Sequence, residues 1–342
     1  MSKHIPYPDT VQFRNACKHI KTMAEYCGKN EEGEPVYSDT RRKPTITFNG
    51  TVKTHGTNSS ICVSSTGEVW YQSRLCIITP TDDNAGFASW AKKREVEDGT
   101  WTSIASYLLN GMNDLPEDYT VTIYGEWVGK GVNSGCAIHE LPKAFFVFAA
   151  RYDSGSETRW LDIYEIASDP DNGLYNIYGF DTFSIDVNFN IPDESVPAML
   201  ALVEQVENCC PVARAFGVDG IGEGIVWTAM WEGQRLCFKT KGEKHSTSKV
   251  KVLSTPQSSA GIQEFVDAAV TQSRFDQCIN AVFGDPSQID VKRLGDVMKW
   301  MGNDILKEES DVLEASGLEW KKVAGAVSNR VRSMYFALEA RA

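Results

Sequence analysis

The spacing of apolar residues changes once along this chain, and that change limits what the chain can fold into. Up to about residue 245 apolar side chains recur at every second position in short runs, which is the mark of half-buried strands. In residues 45–53, Ile46, Phe48 and Val52 share one face, while Thr47, Asn49, Thr51 and Lys53 share the other. In residues 119–126, Val121 and Ile123 lie opposite Tyr124 and Glu126. In residues 235–241, Leu236 and Phe238 lie opposite Lys239 and Lys241. Beyond about residue 255 the spacing turns helical, and Trp320, Val323, Val327, Val331, Tyr335 and Leu338 form one stripe. Strands mixed with helices, then helices alone, describe an α+β domain followed by a small all-α C-terminal domain. The expected division is 1–247 and 248–342, with the Ser/Thr-rich segment 246–260 and its Pro256 as the connection.

Finer punctuation fills in the first domain. A helix is expected over about 10–27, opened by Pro8-Asp9-Thr10 and closed by Gly28. A hairpin follows the first strand, turning at Ser64-Ser65-Thr66-Gly67 and ending at Arg74. Helical stretches fit 84–97, 100–110 and 196–207, and further strands fit 144–150 and 224–228.

Composition excludes some classes. The longest apolar run, 145–150, is far too short to cross a bilayer, and the opening residues MSKHIPYPDT lack a signal-peptide core. Nine cysteines without a CxxC pair predict reduced thiols and a cytoplasmic setting, host cytoplasm if the source is a phage. A net charge of −12 argues against a broad electrostatic binder of nucleic acid. Basic residues are nonetheless clustered, at 41–43 and at 239–251, while acid is concentrated in 152–171 and 304–314, a pattern compatible with a basic groove on an acidic body.

Two placements carry chemistry. Lys53 sits where a strand ends, followed by a histidine and a glycine, on the polar face. Lys239 and Lys241 project together two residues apart, so an anion is expected between them: a phosphate, a pair of carboxylates, or solvent alone.

Five segments then fall in a telling order: Lys53-Thr-His-Gly-Thr-Asn58, Tyr124-Gly-Glu126, Phe146-Val-Phe148, Glu223-Gly-Ile-Val226 and Lys239-Thr-Lys241. Together they resemble the nucleotidyltransferase motifs of covalent ligases and capping enzymes. With residues 125–131 and 218–227, the set looks most like the RNA ligase 2 type, the phage-like enzymes that seal breaks in RNA. The resemblance spans about 45–245. It implies a nucleotidyltransferase fold of ATP-grasp-like antiparallel sheets with flanking helices. It also implies an ATP-dependent RNA ligase that joins 3′-OH and 5′-phosphate ends held in duplex or stem RNA, acting as a monomer with magnesium, or manganese in its place.

The resemblance also implies roles. Lys53 is the nucleophile that attacks the α-phosphorus of ATP and carries the adenylate. An ordinary lysine is neutral only about four times in ten thousand at pH 7, and lowering its pKa by two or three units corresponds to ~3–4 kcal/mol. Lys239 and Lys241 are expected to supply part of that shift as neighbouring cations and to hold the α-phosphate. Glu223 is the expected metal ligand and Glu126 the partner of the ribose hydroxyls. Phe148 is expected to stack on adenine, and Arg74 to contact the nucleotide or an incoming 5′-phosphate. His55 either orients the pyrophosphate or stabilises the turn, and Asn58 serves the metal's water shell or the RNA ends. Two positions depart from the pattern: Val52 and Ala149 stand where acidic residues are common. The tail lacks the β-rich pattern of the domain that accompanies DNA ligases and capping enzymes, which weighs against a DNA-nick ligase or a guanylyltransferase. A nucleotide- or RNA-binding module without catalysis should have lost Lys53, Glu223 or one of the lysine pair, and none is lost. The tail carries twelve Lys and Arg against thirteen Asp and Glu from residue 246 onward, so RNA contact there would need one face, that of Lys321, Lys322, Arg330 and Arg332.

Overall fold

The computed structural model describes residues 2–242, 259–283 and 289–339. The chain divides into two compact units, Met1–Thr240 and Lys241–Ala342. The first is α+β. Its strands are β1 (Val11–Gln12), β2 (Tyr26–Lys29), β3 (Pro35–Tyr37), β4 (Thr45–Val52), β5 (Thr57–Ser64), β6 (Val69–Ser73) and β7 (Ile77–Ile78). They continue with β8 (Thr120–Val128), β9 (Ala144–Asp153), β10 (Thr158–Leu161), β11 (Leu174–Asn176), β12 (Thr182–Asn188), β13 (Gly224–Trp231) and β14 (Gln234–Lys241). Helices α1 (Phe13–Glu25), α2 (Phe87–Asp98), α3 (Thr100–Leu108), α4 (Val196–Asn208) and α5 (Pro211–Ala215) lie between them.

Two sheets organise the unit. One runs β1-β14-β13-β4-β12, and the other runs β10-β9-β8-β5-β6-β7 with β11 beside β9. Pairing is antiparallel along β12-β4-β13 and along β9-β8-β5-β6. The two-residue alternation decides which faces are covered. Ile46 and Phe48 of β4 enter one core with Leu236 and Phe238, capped by Ala16 and Ile20 of α1 and by Met199, Val203 and Val206 of α4. Val121 and Ile123 enter a second core with Phe87, Ala91 and Trp101 from α2 and α3. Gly50 stays a glycine because a Cβ there would lie 2.7 Å from the Trp227 ring.

The expected helix over 10–27 is shorter, because Val11 and Gln12 pair in parallel with Phe238 and Lys239. Gly28 is not its stop: it lies at φ +112° in the β2–β3 hairpin, where the register shifts.

The second unit is all-helical in its described residues: α6 (Ser259–Ala269), α7 (Gln272–Phe283), α8 (Leu294–Ala315) and α9 (Trp320–Glu339). The α9 stripe packs as expected, with Val323, Val327, Val331 and Tyr335 buried and Trp320 and Leu338 at the margin. Most of the connecting segment 246–260 lies outside the described residues. No described helix is long and apolar enough to cross a membrane, and all nine cysteines are free thiols.

Candidate active site

Sheet register brings Lys53 and Glu223 together. Ile225 pairs with Val52, and the Lys53 N–H reaches the Gly224 carbonyl at 2.8 Å, so Glu223 arrives beside the residues that follow β4. Lys53 Nζ donates to Glu223 Oε2 at 2.6 Å, and His55 Nδ1 lies 2.9 Å from the same oxygen. Glu223 is only 1% exposed. Two donors therefore converge on one buried carboxylate oxygen.

A second carboxylate enters from the other sheet. Asn58 on β5 stands opposite Glu126 on β8, and Glu126 Oε1 accepts the Gly56 N–H at 3.1 Å. Residue 56 must be a glycine, because a Cβ would lie 2.2 Å from the Trp127 carbonyl oxygen. The glycine of the Lys-Thr-His-Gly segment thus lets the turn after Lys53 close onto β8.

The electrostatics follow from one ammonium facing two carboxylates. Burial alone pulls the Lys53 pKa down, but Glu223 and then Glu126 outweigh it and hold the amine above its ordinary value. Glu126 is pushed up to about 7, first by burial, with Lys53 opposing and Glu223 adding to the rise. The shift is opposite in direction to the lowering expected from Lys239 and Lys241 as neighbouring cations. In this structure the groups that shift it are acids, and the direction is upward. The sheet order explains why: β13 lies between β14 and β4, so the lysine pair is two strand spacings away, about 10 Å. The alternation is as read, because Thr240 turns to the core side and accepts from Trp227 Nε1 at 2.8 Å, leaving Lys239 and Lys241 on the other face.

Other expected residues lie around this centre. Arg74, just past β6, is ion-paired with Asp9, and its charge acts on Glu126. Phe148 is the extra residue of a bulge: Tyr124 pairs with Ala149 and Gly125 with Val147. It packs edge-on against Tyr7 at 5.0 Å and lines a cavity of about 300 Å³ with Trp160, Tyr164, Tyr178, Asn49, Asp162, Thr228 and Arg235. Val52 and Ala149 are both buried, so neither departure leaves a gap in the packing.

Sequence reading missed Asp9, Tyr7, Arg235, Asn133 and His139. Asn133 and His139 reach the carbonyls of residues 55 and 56 from the loop after β8. The glycine spacing of residues 129–135 marks a loop but not which strand end it clasps.

Among the described residues, no three His, Cys, Asp or Glu side chains gather into a metal site of their own. The donor set beside Lys53, the carboxylates of Glu223 and Glu126, still fits a hard divalent cation that takes its remaining ligands from outside the chain.

No curated protein matches the chain. Solved structures of an RNA ligase from Naegleria gruberi match it, one with pyrophosphate at 15% identity and TM-score 0.41, and a lysine-to-alanine variant with ATP and manganese at 15% and 0.42. The match covers 70% of this chain, and the chain spans little more than half the length of these structures, 56% and 55%. The RNA ligase family itself matches residues 46–241, a stretch that runs from the start of β4 to the last lysine of β14, and the chain belongs to that family.

Proposed function

We propose that this chain is an ATP-dependent RNA ligase that works through a lysyl-adenylate on Lys53, of the RNA ligase 2 type. The observation that carries the reading is the buried Lys53–Glu223 contact at 2.6 Å, at the end of a strand that faces Lys239 and Lys241 across β13. To act, the Lys53 amine must lose a proton, bond to the α-phosphorus of ATP and break the bond to pyrophosphate. The free protein holds that proton tightly, because both carboxylates favour the ammonium. Glu223 is the nearest acceptor for it. A divalent cation bound with ATP and held by Glu223 would offset those negative charges and make the amine easier to deprotonate.

The chain's own groups would do the rest. Lys239 and Lys241 would hold the α-phosphate and stabilise the charge developing on it. Glu126 would bind the ribose hydroxyls, with Gly56 N–H fixing its position. His55 would sit near the leaving pyrophosphate while anchored to Glu223. Adenine would stack on Phe148 in the aromatic cavity. With Val52 and Ala149 apolar, base selection would fall to the polar groups there, Asn49, Asp162, Thr228 and Arg235. The adenylate would then pass to an RNA 5′-phosphate contacted by Arg74 and Asn58, and an RNA 3′-OH would displace AMP. The helical unit would hold the RNA ends in duplex form.

The test is incubation with α-labelled ATP and magnesium, followed by a denaturing gel, with and without nicked duplex RNA. Acid-labile label on the protein, absent in Lys53→Ala, and sealed RNA are expected. Labelling of Lys53→Ala at full strength would overturn the assignment.

A further inference from the structure

The turn that carries Lys53 is clasped from outside by the loop after β8. Asn133 Nδ2 donates to the Gly56 carbonyl at 2.6 Å and lies 3.4 Å from the His55 carbonyl. His139 Nε2 lies 3.2 Å from the same His55 oxygen. The direction of that last contact is settled by the other ring nitrogen. The Cys136 N–H donates to His139 Nδ1 at 3.1 Å, so Nδ1 is an acceptor and the ring hydrogen of neutral His139 sits on Nε2. His139 is 8% exposed, and its ring centre lies 5.5 Å from that of His55.

We propose that Asn133 and His139 are positioning residues for Lys53. Four hydrogen bonds hold the peptide units of residues 55 and 56 to side chains from elsewhere: the Gly56 N–H to Glu126, the Gly56 carbonyl to Asn133, and the His55 carbonyl to both His139 and Asn133. Those bonds fix the backbone from which His55 reaches Glu223 Oε2, two residues after Lys53 reaches the same oxygen. A loose turn would leave the amine and the carboxylate out of register with each other and with the α-phosphate. The effect would fall on the rate of the chemical step, because neither residue touches the reacting atoms.

This rests on Lys53 being the adenylated residue, so two readouts are needed. The first is the single-turnover rate of self-adenylation, with the ATP concentration for half-maximal rate. His139→Ala and Asn133→Ala are expected to slow the rate about ten- to a hundredfold, with half-saturation within about threefold. His139→Gln, which returns an N–H donor near the Nε2 position, is expected to recover most of the loss, whereas Asn133→Asp, which removes the donor and repels both carbonyls, is expected to be no better than Asn133→Ala. The second readout does not need ligase activity: hydrogen–deuterium exchange at the backbone N–H groups of residues 54–57, followed by mass spectrometry. It is expected to be faster in His139→Ala and in Asn133→Ala, because the turn has lost a bond that holds it closed. If wild type takes up no adenylate, the ligase reading fails while this second comparison still stands. An unchanged adenylation rate and unchanged exchange in both alanine variants would overturn the proposal. So would a His139→Gln variant that folds yet adenylates no faster than His139→Ala. Should the alanine variants fail to fold, the Gln and Asp variants decide the matter alone.

Discussion

The Arg274 cluster of the helical unit and the Lys53 cluster of the first unit each set a cation against two carboxylates, and they differ in burial and in chemistry. In the helical unit Arg274 is fully buried. Its Nε donates to Asp304 and its Nη2 to Glu309, both at 2.8 Å, and its Nη1 to the Ala269 carbonyl at 2.5 Å. A guanidinium does not give up its proton, and its planar fork on α7 spreads the charge over fixed partners on α6 and α8. Lys53 retains 22% side-chain exposure and shares a single oxygen of Glu223 with His55. An ammonium there can become an amine, and an amine is a nucleophile. The first arrangement joins helices; the second holds a proton that, on the proposed mechanism, the amine must give up.

The largest expected effect comes from turning the second cluster into the first. Lys53→Arg should keep a cation against Glu223, so its unfolding midpoint should stay close to wild type. It should form no adenylate at any pH from 6 to 10. Measurable adenylate on this variant would mean that another residue carries the nucleotide.

Breaking the helical cluster should act on stability instead. Arg274→Ala leaves Glu309, itself fully buried, without its guanidinium partner, at a cost of ~3–5 kcal/mol. The loss should appear as an earlier unfolding step in a urea titration followed by a probe on the helices. Self-adenylation should persist at concentrations of urea below that step. A titration that matches wild type would show that the helices do not depend on the arginine.

These contrasts also mark what could be read from residues alone. The alternation in β4 and β14 identified the faces of Lys53, Lys239 and Lys241, and the α9 stripe identified a helical core, because apolar burial leaves a period in the sequence. The site motifs gave Glu126 and Glu223 as participants. They did not reveal that Glu223 would grip Lys53 directly, since that depends on the register between β4 and β13, which are about 170 residues apart along the chain. The bulge at Phe148 interrupts the alternation in β9 without a glycine or proline to announce it. Asp9, Asn133 and His139 lie in irregular segments, where no periodicity links a side chain to its partner. Arg274 looks like an ordinary polar helix position until its neighbours α6 and α8 are in place.

Register makes a further prediction about the lysine pair. If Lys239 worked mainly by repelling the Lys53 proton, Lys239→Gln would regain full rate near pH 9–10, roughly where a free lysine begins to deprotonate. Its strand is two spacings from Lys53, while Glu223 is in contact with it, so a direct role toward the α-phosphate is the stronger expectation. The self-adenylation rate of Lys239→Gln should therefore stay about tenfold or more below wild type at every pH. Glu223→Gln should behave differently: the pH at which Lys53 reacts with an amine-selective reagent should fall, because burial then acts with less opposition. Full alkaline recovery of Lys239→Gln would reverse the assignment.

The smallest effect expected lies in Glu126 and has no counterpart in the Arg274 cluster. Its carboxyl is pushed up to about 7 from an ordinary value of 4.5, chiefly by burial, so the folded protein binds that proton more tightly than the unfolded chain. The stabilisation this gives is fully present below pH 4.5 and is lost as pH rises through about 7. Above that, the folded state holds a carboxylate that burial and Glu223 both disfavour, while Lys53 and the Gly56 N–H offset part of the cost. Glu126→Gln keeps an oxygen for the Gly56 N–H and removes the charge. It should unfold at a higher urea concentration than wild type at pH 8, by on the order of 1 kcal/mol, and match wild type near pH 4. A difference of the same size at both pH values would show that shape, not the proton, separates the two proteins. The same variant should bind ATP more weakly, since a neutral amide holds the ribose hydroxyls less strongly than a carboxylate. More stability with less binding is the pattern expected of a residue kept for its substrate at the fold's expense.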